Sequence, residues 1–154
     1  MPNTQAIGVA FADPEFQSVA VTGAVTAASA SVSGALTAGS VSSASVTASG
    51  NLFIKSATVA ATGSVQGDAA AVTSGFTLVS AADGTKGVVL PAAAAGLVCI
   101  IKNNAAAALK IYPASGDAIN ALSANAAYSI TNLTSTVLVA YDSTTWYSVP
   151  LVAS

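Results

Sequence analysis

The sequence predicts an all-β protein, and three features support this class. Short segments rich in Val and Thr alternate apolar with small polar residues, which is typical of strands. Gly, Asn and Asp separate these segments at short intervals, as turns require. All four Tyr and the single Trp lie in the second half of the chain, so we expect the main core there. The predicted order is an extended N-terminal arm (1–17), a short-strand β stem (18–65) and a C-terminal antiparallel β-sandwich or jelly roll (66–154).

The arm is predicted from its prolines and from apolar residues without a neighbouring partner segment. Pro2 and Pro14 discourage a continuous helix and favour an extended path. Such a segment can dock by adding to a sheet edge, with alternate side chains filling pockets. We predict that the arm binds a partner surface, and its candidate contact residues are Ile7, Val9, Phe11, Asp13, Glu15 and Phe16.

The stem is predicted from a loose repeat of the form hydroxyl-Gly-x-aliphatic, found at Gly23, Gly34, Gly50 and Gly63. The spacings of 11, 16 and 13 residues do not make a strict solenoid period. Ten large apolar residues between 18 and 56 are too few to offset the entropy of ordering this segment alone. We therefore expect the stem to need other copies of itself or a surface to lie on. The candidate residues of a trimer interface are Val21, Val25, Val32, Leu36, Val41, Val46 and Leu52.

The C-terminal part carries the clearest strand signals. Turn residues such as Asp83-Gly84 and Ser115-Gly116-Asp117 separate the segments. The sequence "NNAAAALK" fits either one helical turn capped by Asn104 or a hairpin loop, and the flanking strands favour the loop. The predicted strands are Ala71–Ser80, Gly87–Leu90, Leu97–Lys102, Leu109–Tyr112, Ala127–Ile130, Thr136–Tyr141 and Trp146–Val149.

Composition argues against several function classes. Charged residues make up 6% of the 154 residues, whereas soluble domains average about 25%. The net charge is −2, there is no Arg, and the four Lys are scattered, so we expect no nucleic-acid partner. The best apolar run, between Lys86 and Lys102, has 15 residues and contains Pro91, so it is too short for a spanning helix and we expect no membrane partner. The N-terminus lacks the basic and apolar regions of a signal peptide, so we expect no export by a classical signal.

Chemistry-bearing residues are scarce. The chain has no His, which removes the commonest general base and most zinc or iron sites. Cys99 lies in an apolar segment and is expected to be a small buried hydrophobe. The Asp residues fit turns and do not form a calcium-loop pattern. We therefore expect no enzymatic activity, no cofactor and no metal.

A resemblance complements these observations. The segments "TKGVVLPAAAAGLVCIIKNNAAAALKIYPASGDAINAL" and "AAYSITNLTSTVLVAYDSTTWYSVP" resemble the terminal β domain of tailed-bacteriophage virion proteins, over about residues 70 to 152. They are similar in particular to head decoration, cement or head-fibre proteins and to some tail-fibre pieces. The stretch "VTGAVTA…VSGALTA…VTASGNL" resembles the stems of trimeric phage fibres.

This resemblance implies a capsid decoration protein at the outer surface of the virion. In such families the N-terminal arm commonly grips the particle, and the C-terminal domain faces outward, often as a trimer. The implied partners are the major capsid protein and two further copies of the chain. The short chain favours a capsid ornament over a long tail fibre.

Two other functions remain open from the sequence. A fibre or spike tip that binds a host-surface glycan would expose Trp146, Tyr147, Tyr128 and Tyr141. A hairpin aromatic that fills a sandwich core is the favoured reading of Trp146. The third function is a small adhesin-like structural protein from a bacterium.

Overall fold

The structure is a computed structural model that describes residues 22–26 and 28–150. The chain divides into two units, Met1–Val46 and Thr47–Ser154. In the described part of the first unit there is no helix or strand, and every side chain is exposed. Residues 47–55, at the start of the second unit, also form no strand. The short strands predicted for this stretch of the stem are therefore absent from these residues, whose small and scattered apolar side chains have no second layer to pack on.

The second unit contains ten strands in two sheets and one short 3-10 helix, Gln66–Asp68. The strands are β1 Ser56–Ala60, β2 Ala70–Ala71, β3 Phe76–Ala81, β4 Gly87–Val89, β5 Val98–Asn103, β6 Leu109–Tyr112, β7 Ala118–Ile119, β8 Tyr128–Ile130, β9 Ser135–Ala140 and β10 Thr145–Pro150. The six-stranded sheet has the order β1-β3-β5-β9-β10-β7, and the four-stranded sheet has the order β2-β4-β6-β8.

The first six strands form a solenoid-like arrangement. The chain alternates between the two sheets from β1 to β6, and each strand pairs in parallel with the one two places later. In the six-stranded sheet Ser56 pairs with Phe76 and Phe76 with Ile100, so successive coils advance by 20 and 24 residues. Three coils of two strands each therefore stack along this part of the chain.

Antiparallel strands follow the third coil. β9 pairs antiparallel with β5, and β10 pairs antiparallel with β9. β8 pairs antiparallel with β6 at the corresponding end of the four-stranded sheet. The two-residue strand β7 pairs in parallel with β10 and forms the outer edge of the six-stranded sheet.

The all-β class is confirmed, whereas the pairing differs from the predicted antiparallel sandwich or jelly roll. The segments of six predicted strands are confirmed with small changes at their ends, but Ala71–Ser80 contains two strands, β2 and β3, in different sheets. β1 lies within 18–65, the range assigned to the stem, yet pairs with β3. The loop in "NNAAAALK" is not a hairpin, because β5 and β6 belong to different sheets. Alternation identifies a strand and its faces but does not identify the partner strand.

The core lies between the two sheets. Alternate residues of each strand point inward, and the inward side chains of both sheets form one apolar cluster. The largest fully buried members are Trp146, Ile101, Leu109, Ile111, Ile119, Leu138, Val79 and Val88. These seven aliphatic residues and Trp146 fill the space with large side chains, which compensates for the high Ala content elsewhere.

Two glycines are required by close approaches in the coils. Gly63 has φ +59°, and a Cβ there would lie 2.4 Å from the backbone of Asp68. Gly87 lies beneath the ring of Tyr112, where a Cβ would be 2.7 Å from the ring and 2.8 Å from the carbonyl of Lys110. The hydroxyl of Tyr112 donates to the carbonyl of Ser64 at 2.6 Å, so this ring holds neighbouring corners of the solenoid together.

The described residues include no helix that is long and apolar enough to cross a membrane.

Candidate interaction surface

Residues 1–21 lie outside the described part of the chain, and they include all six candidate capsid contacts: Ile7, Val9, Phe11, Asp13, Glu15 and Phe16. Their role stays a prediction.

The predicted trimer-interface residues of the stem are exposed where the structure describes them. Val25, Leu36, Val46 and Leu52 are each more than two-thirds exposed, and Val32 and Val41 more than half. Val21 lies outside the described residues. The exposed aliphatic side chains are separated by Ser, Thr, Ala and Gly, so this stretch offers apolar contacts to another molecule without forming a layer of its own.

The described residues offer little to a reaction mechanism. They contain no group of three or more side chains of the types that bind metals. Cys99 is buried on β5, as predicted, and burial raises the pKa of its thiol. A cleft of about 260 Å³ lies beside it, lined by Val72, Thr73, Ser74, Gly75, Pro91, Leu97, Val98 and Cys99. The lining has no charged side chain that could activate the thiol or a hydroxyl.

The four acidic side chains of the described residues have structural partners or lie on turns. Asp83 Oδ1 accepts hydrogen bonds from the N–H groups of Thr85 (2.9 Å) and Lys86 (3.0 Å) and from the Thr85 hydroxyl (2.7 Å). These bonds hold the pKa of Asp83 well below its usual value. Asp142 makes the same contacts with Thr144 and the N–H of Thr145, and its pKa is lowered for the same reason. Turn chemistry is thus confirmed for Asp83-Gly84.

The turn predicted at Gly116-Asp117 is also confirmed, since the N–H of Asp117 donates to the carbonyl of Ala114 at 3.0 Å and Gly116 has φ +90°, but Asp117 has a further role. It is buried, and its Oδ2 accepts a hydrogen bond from the N–H of Ala93 at 2.9 Å. This bond links the loop after β6 to the loop after β4. A short polar residue followed by apolar "AI" is the sequence signal that could have indicated this inward position.

The aromatic residues separate into a buried and an exposed group. Trp146 is fully buried, and its indole Nε1 has no hydrogen-bond partner among the described residues. Tyr128 is half-buried against the core. Tyr141 and Tyr147 are exposed, and their rings form an edge-to-face pair with centroids 5.9 Å apart. The core position of Trp146 is therefore confirmed, and of the four aromatic residues named for the glycan-binding function Tyr141 and Tyr147 are the exposed ones.

The second unit also carries an apolar surface that was not predicted from the sequence. We call it the outer face: the side of the six-stranded sheet opposite the core. Its first row joins Phe76, Ile100, Val137 and Val149 across four strands. Its second row joins Val98, Val139 and Tyr147, and Tyr141 lies beside Tyr147.

The outer face is partly open to solvent. Val98 is 43% exposed, Tyr147 50% and Val149 51%, whereas the remaining apolar members of the two rows are half-buried by their neighbours. The sequence contains a signal for this surface: "VCII" and "VLVAY" are apolar at successive positions, so both faces of β5 and β9 carry apolar side chains. Such continuous runs are typical of strands covered on both sides, and the described residues of the second unit do not cover the outer face.

Comparison of this chain with protein-family models, with curated proteins and with solved structures found no match.

Proposed function

We propose that this chain is a non-enzymatic structural protein of a bacteriophage virion, which decorates and stabilises the capsid as a homotrimer. One observation carries the proposal. A compact β unit without a recognisable reaction site adjoins in sequence a long stretch with no charged side chain, whose described residues are all exposed. This organisation suits a protein whose role is to cover and connect surfaces.

The proposed anchor is the N-terminal arm, residues 1–17, and the proposed partner is the major capsid protein. Asp13 and Glu15 meet basic groups of the shell, where they contribute specificity more than affinity. A protein that binds only the assembled lattice stabilises it by its binding free energy. Three arms on one trimer act together, so weak individual contacts yield a strong overall attachment.

Cosedimentation tests the proposal. The purified chain is mixed with capsids that lack it, and the fraction that sediments with the capsids is measured at increasing protein concentration. We expect saturable retention and capsids that resist heat or low salt better than undecorated ones. A chain that stays in the supernatant at every concentration would contradict the proposal.

Deletion of residues 1–16 separates anchoring from assembly. The truncated chain should remain soluble and trimeric but should lose retention on the capsids. Light scattering behind size exclusion checks the mass, expected at about three times the 14.8 kDa of one chain. If the truncated trimer still binds at the level of the full chain, the arm is not the anchor.

A second candidate function is a fibre or spike tip that binds a host-surface glycan, and the exposed pair Tyr141–Tyr147 favours it. Edge-to-face rings at a surface offer apolar area and hydroxyls to a sugar. Trp146 is buried and does not contribute. Binding of the purified chain to host cells, compared with the Tyr141→Ala variant, tests this function. Loss of cell binding in the variant, without binding to capsids, would favour it over decoration.

A further inference from the structure

We infer that the outer face of the six-stranded sheet is a contact surface between copies of this chain. The inference deepens the proposed function, on which it rests for the expectation that copies of the chain associate; the geometry below describes the contact between two copies. It places the contact on the β unit, in addition to the stem side chains predicted from the sequence.

The chemical layout of the outer face matches that of protein interfaces. Its centre consists of the two apolar rows described above. Its margins are polar: Ser56 pairs with Phe76 on the β1 side, and Ser135 pairs with Lys102 at one end of β5 and β9. The Lys102 amine donates to the carbonyl of Leu133 in the loop before β9, which draws the charge to the margin. An apolar centre with a polar rim is the usual anatomy of a protein–protein contact.

The absence of charge on the two rows of the outer face favours an uncharged partner surface. The two rows contain no acidic or basic side chain, so a partner that presents charge would lose its hydration without gaining an ion pair. The same face on a second copy meets this requirement. Residues 47–150 contain four Lys and four Asp, so this part of the chain has no net formal charge and two copies do not repel each other at long range.

Sheet geometry also suits a second copy. Two sheets of the same twist pack face to face with their strands inclined by about 30° and their layers about 10 Å apart. Neighbouring strands are about 4.8 Å apart, and each residue advances a strand by about 3.3 Å. Four strands with about five residues each therefore cover an area on the order of 300 Å². Stable pairs usually bury about 800 Å² on each partner. The outer face therefore supplies one part of such a contact.

Charge substitutions on exposed positions of the outer face test the inference in the full chain. Val98→Asp and Tyr147→Asp place carboxylates in the second row, on either side of Val139. Both side chains are about half exposed, so each variant should retain the fold of one copy. We expect the association constant, measured by sedimentation velocity over a range of concentrations, to fall about 100-fold or more. Ser129→Asp, on an exposed position of β8 in the other sheet, is the matched control and should associate like the unmodified chain.

Crosslinking gives a second readout that does not depend on a loss of assembly. In a Cys99→Ala background, Tyr147→Cys places one thiol on the outer face, and Ser129→Cys places one on the other sheet. A short bifunctional thiol reagent should join copies through position 147 and leave the Ser129→Cys protein uncrosslinked. Circular dichroism and thermal unfolding of each variant verify that the fold is retained.

The outcomes distinguish this inference from the proposed function. A monomeric full chain overturns the inference, as does an assembly that tolerates both carboxylates and crosslinks no better at 147 than at 129. A dimer that dissociates in the Asp variants supports the outer face as the contact but contradicts the homotrimer. An assembly that depends on the outer face while the chain fails to bind capsids supports the inference and contradicts the proposed function.

Discussion

The side-chain amide of Asn103 donates a hydrogen bond to the main-chain carbonyl of Thr131 at 3.0 Å, and so connects the corner after β5 to the loop before β9. The same nitrogen donates to the carbonyl of Ala107 at 2.9 Å, and the side-chain oxygen accepts from the N–H of Ala105 at 3.1 Å. Asn103 is fully buried. One amide therefore satisfies three main-chain groups at the junction between the last solenoid coil and the antiparallel strands.

We expect Asn103→Ala to be strongly destabilising. The substitution leaves two carbonyls and one N–H without their partner and opens a small cavity, which together should lower the free energy of unfolding by about 3 kcal/mol. Denaturant unfolding followed by circular dichroism measures the change. Asn104→Ala is the control, because Asn104 is exposed and its main-chain N–H, which donates to Val79 at 2.8 Å, is unaffected. Its effect should stay within about 0.5 kcal/mol. Equal losses in the two variants would contradict the bridging role of Asn103.

Cys99 should resist thiol reagents in the folded protein. Its side chain is 3% exposed, and burial raises the pKa of the thiol, so the reactive thiolate is both scarce and inaccessible. We expect labelling by an aromatic disulfide reagent to be slow at neutral pH and complete at once in denaturant. A Ser129→Cys thiol in a Cys99→Ala background should label quickly and serves as the control. Fast labelling of native Cys99 would place β5 differently from the structure.

The same raised pKa predicts a pH dependence at the alkaline end. The native thiol is held neutral, whereas the unfolded thiol ionises around its usual value of 9.0. The contribution of Cys99 to stability should therefore be constant below that pH and decline as the pH rises through it. Thermal unfolding of the unmodified chain and of Cys99→Ala between pH 7 and pH 10 measures the difference, which should narrow toward pH 10. A difference in Tm between the two proteins that stays constant over this pH range would contradict burial of the thiol.

Asp83 should make the corner before β4 sensitive to acid. Its hydrogen bonds, above all that from the Thr85 hydroxyl, lower its pKa below the usual 3.8. The stabilisation is then complete above that pH and is lost as the pH falls through it toward the native pKa. We expect Asp83→Asn to lower Tm near pH 6. The difference in Tm between the variant and the unmodified chain should narrow toward pH 2. Asp68→Asn, at an exposed position in the 3-10 helix, is the control and should change Tm little near pH 6. A gap that widens in acid would contradict the role of the ionised carboxylate.

Local patterns in the sequence predicted most strands of the second unit. They did not predict which strands pair with one another. The side-chain alternation of a strand puts Cys99 and Ile101 on one face of β5, and both are buried, as expected for Cys99. The same alternation is compatible with parallel or antiparallel neighbours, so it did not reveal that β3 and β5 lie side by side in parallel. The coils advance by unequal numbers of residues, which hid the repeat. The outer face was missed because an apolar run indicates that a side chain needs cover without indicating which molecule supplies it.

Gly63 and Gly67 provide a matched pair that tests the tight corner between β1 and β2. Gly63 has φ +59°, and an added Cβ would lie 2.4 Å from the backbone of Asp68, a contact that requires the corner to move. The surrounding bonds resist this movement, since the Thr62 hydroxyl donates to the carbonyl of Asp68 at 2.9 Å and the Gly87 N–H donates to the carbonyl of Gly63 at 3.2 Å. Gly63→Ala should therefore lower the free energy of unfolding by about 2 to 4 kcal/mol. An added Cβ at Gly67 would have no atom within 4 Å, so Gly67→Ala should change the free energy of unfolding by no more than about 1 kcal/mol. Denaturant unfolding of the two variants at one pH measures both free energies. A Gly63→Ala protein as stable as Gly67→Ala would contradict the close approach of Gly63 to Asp68.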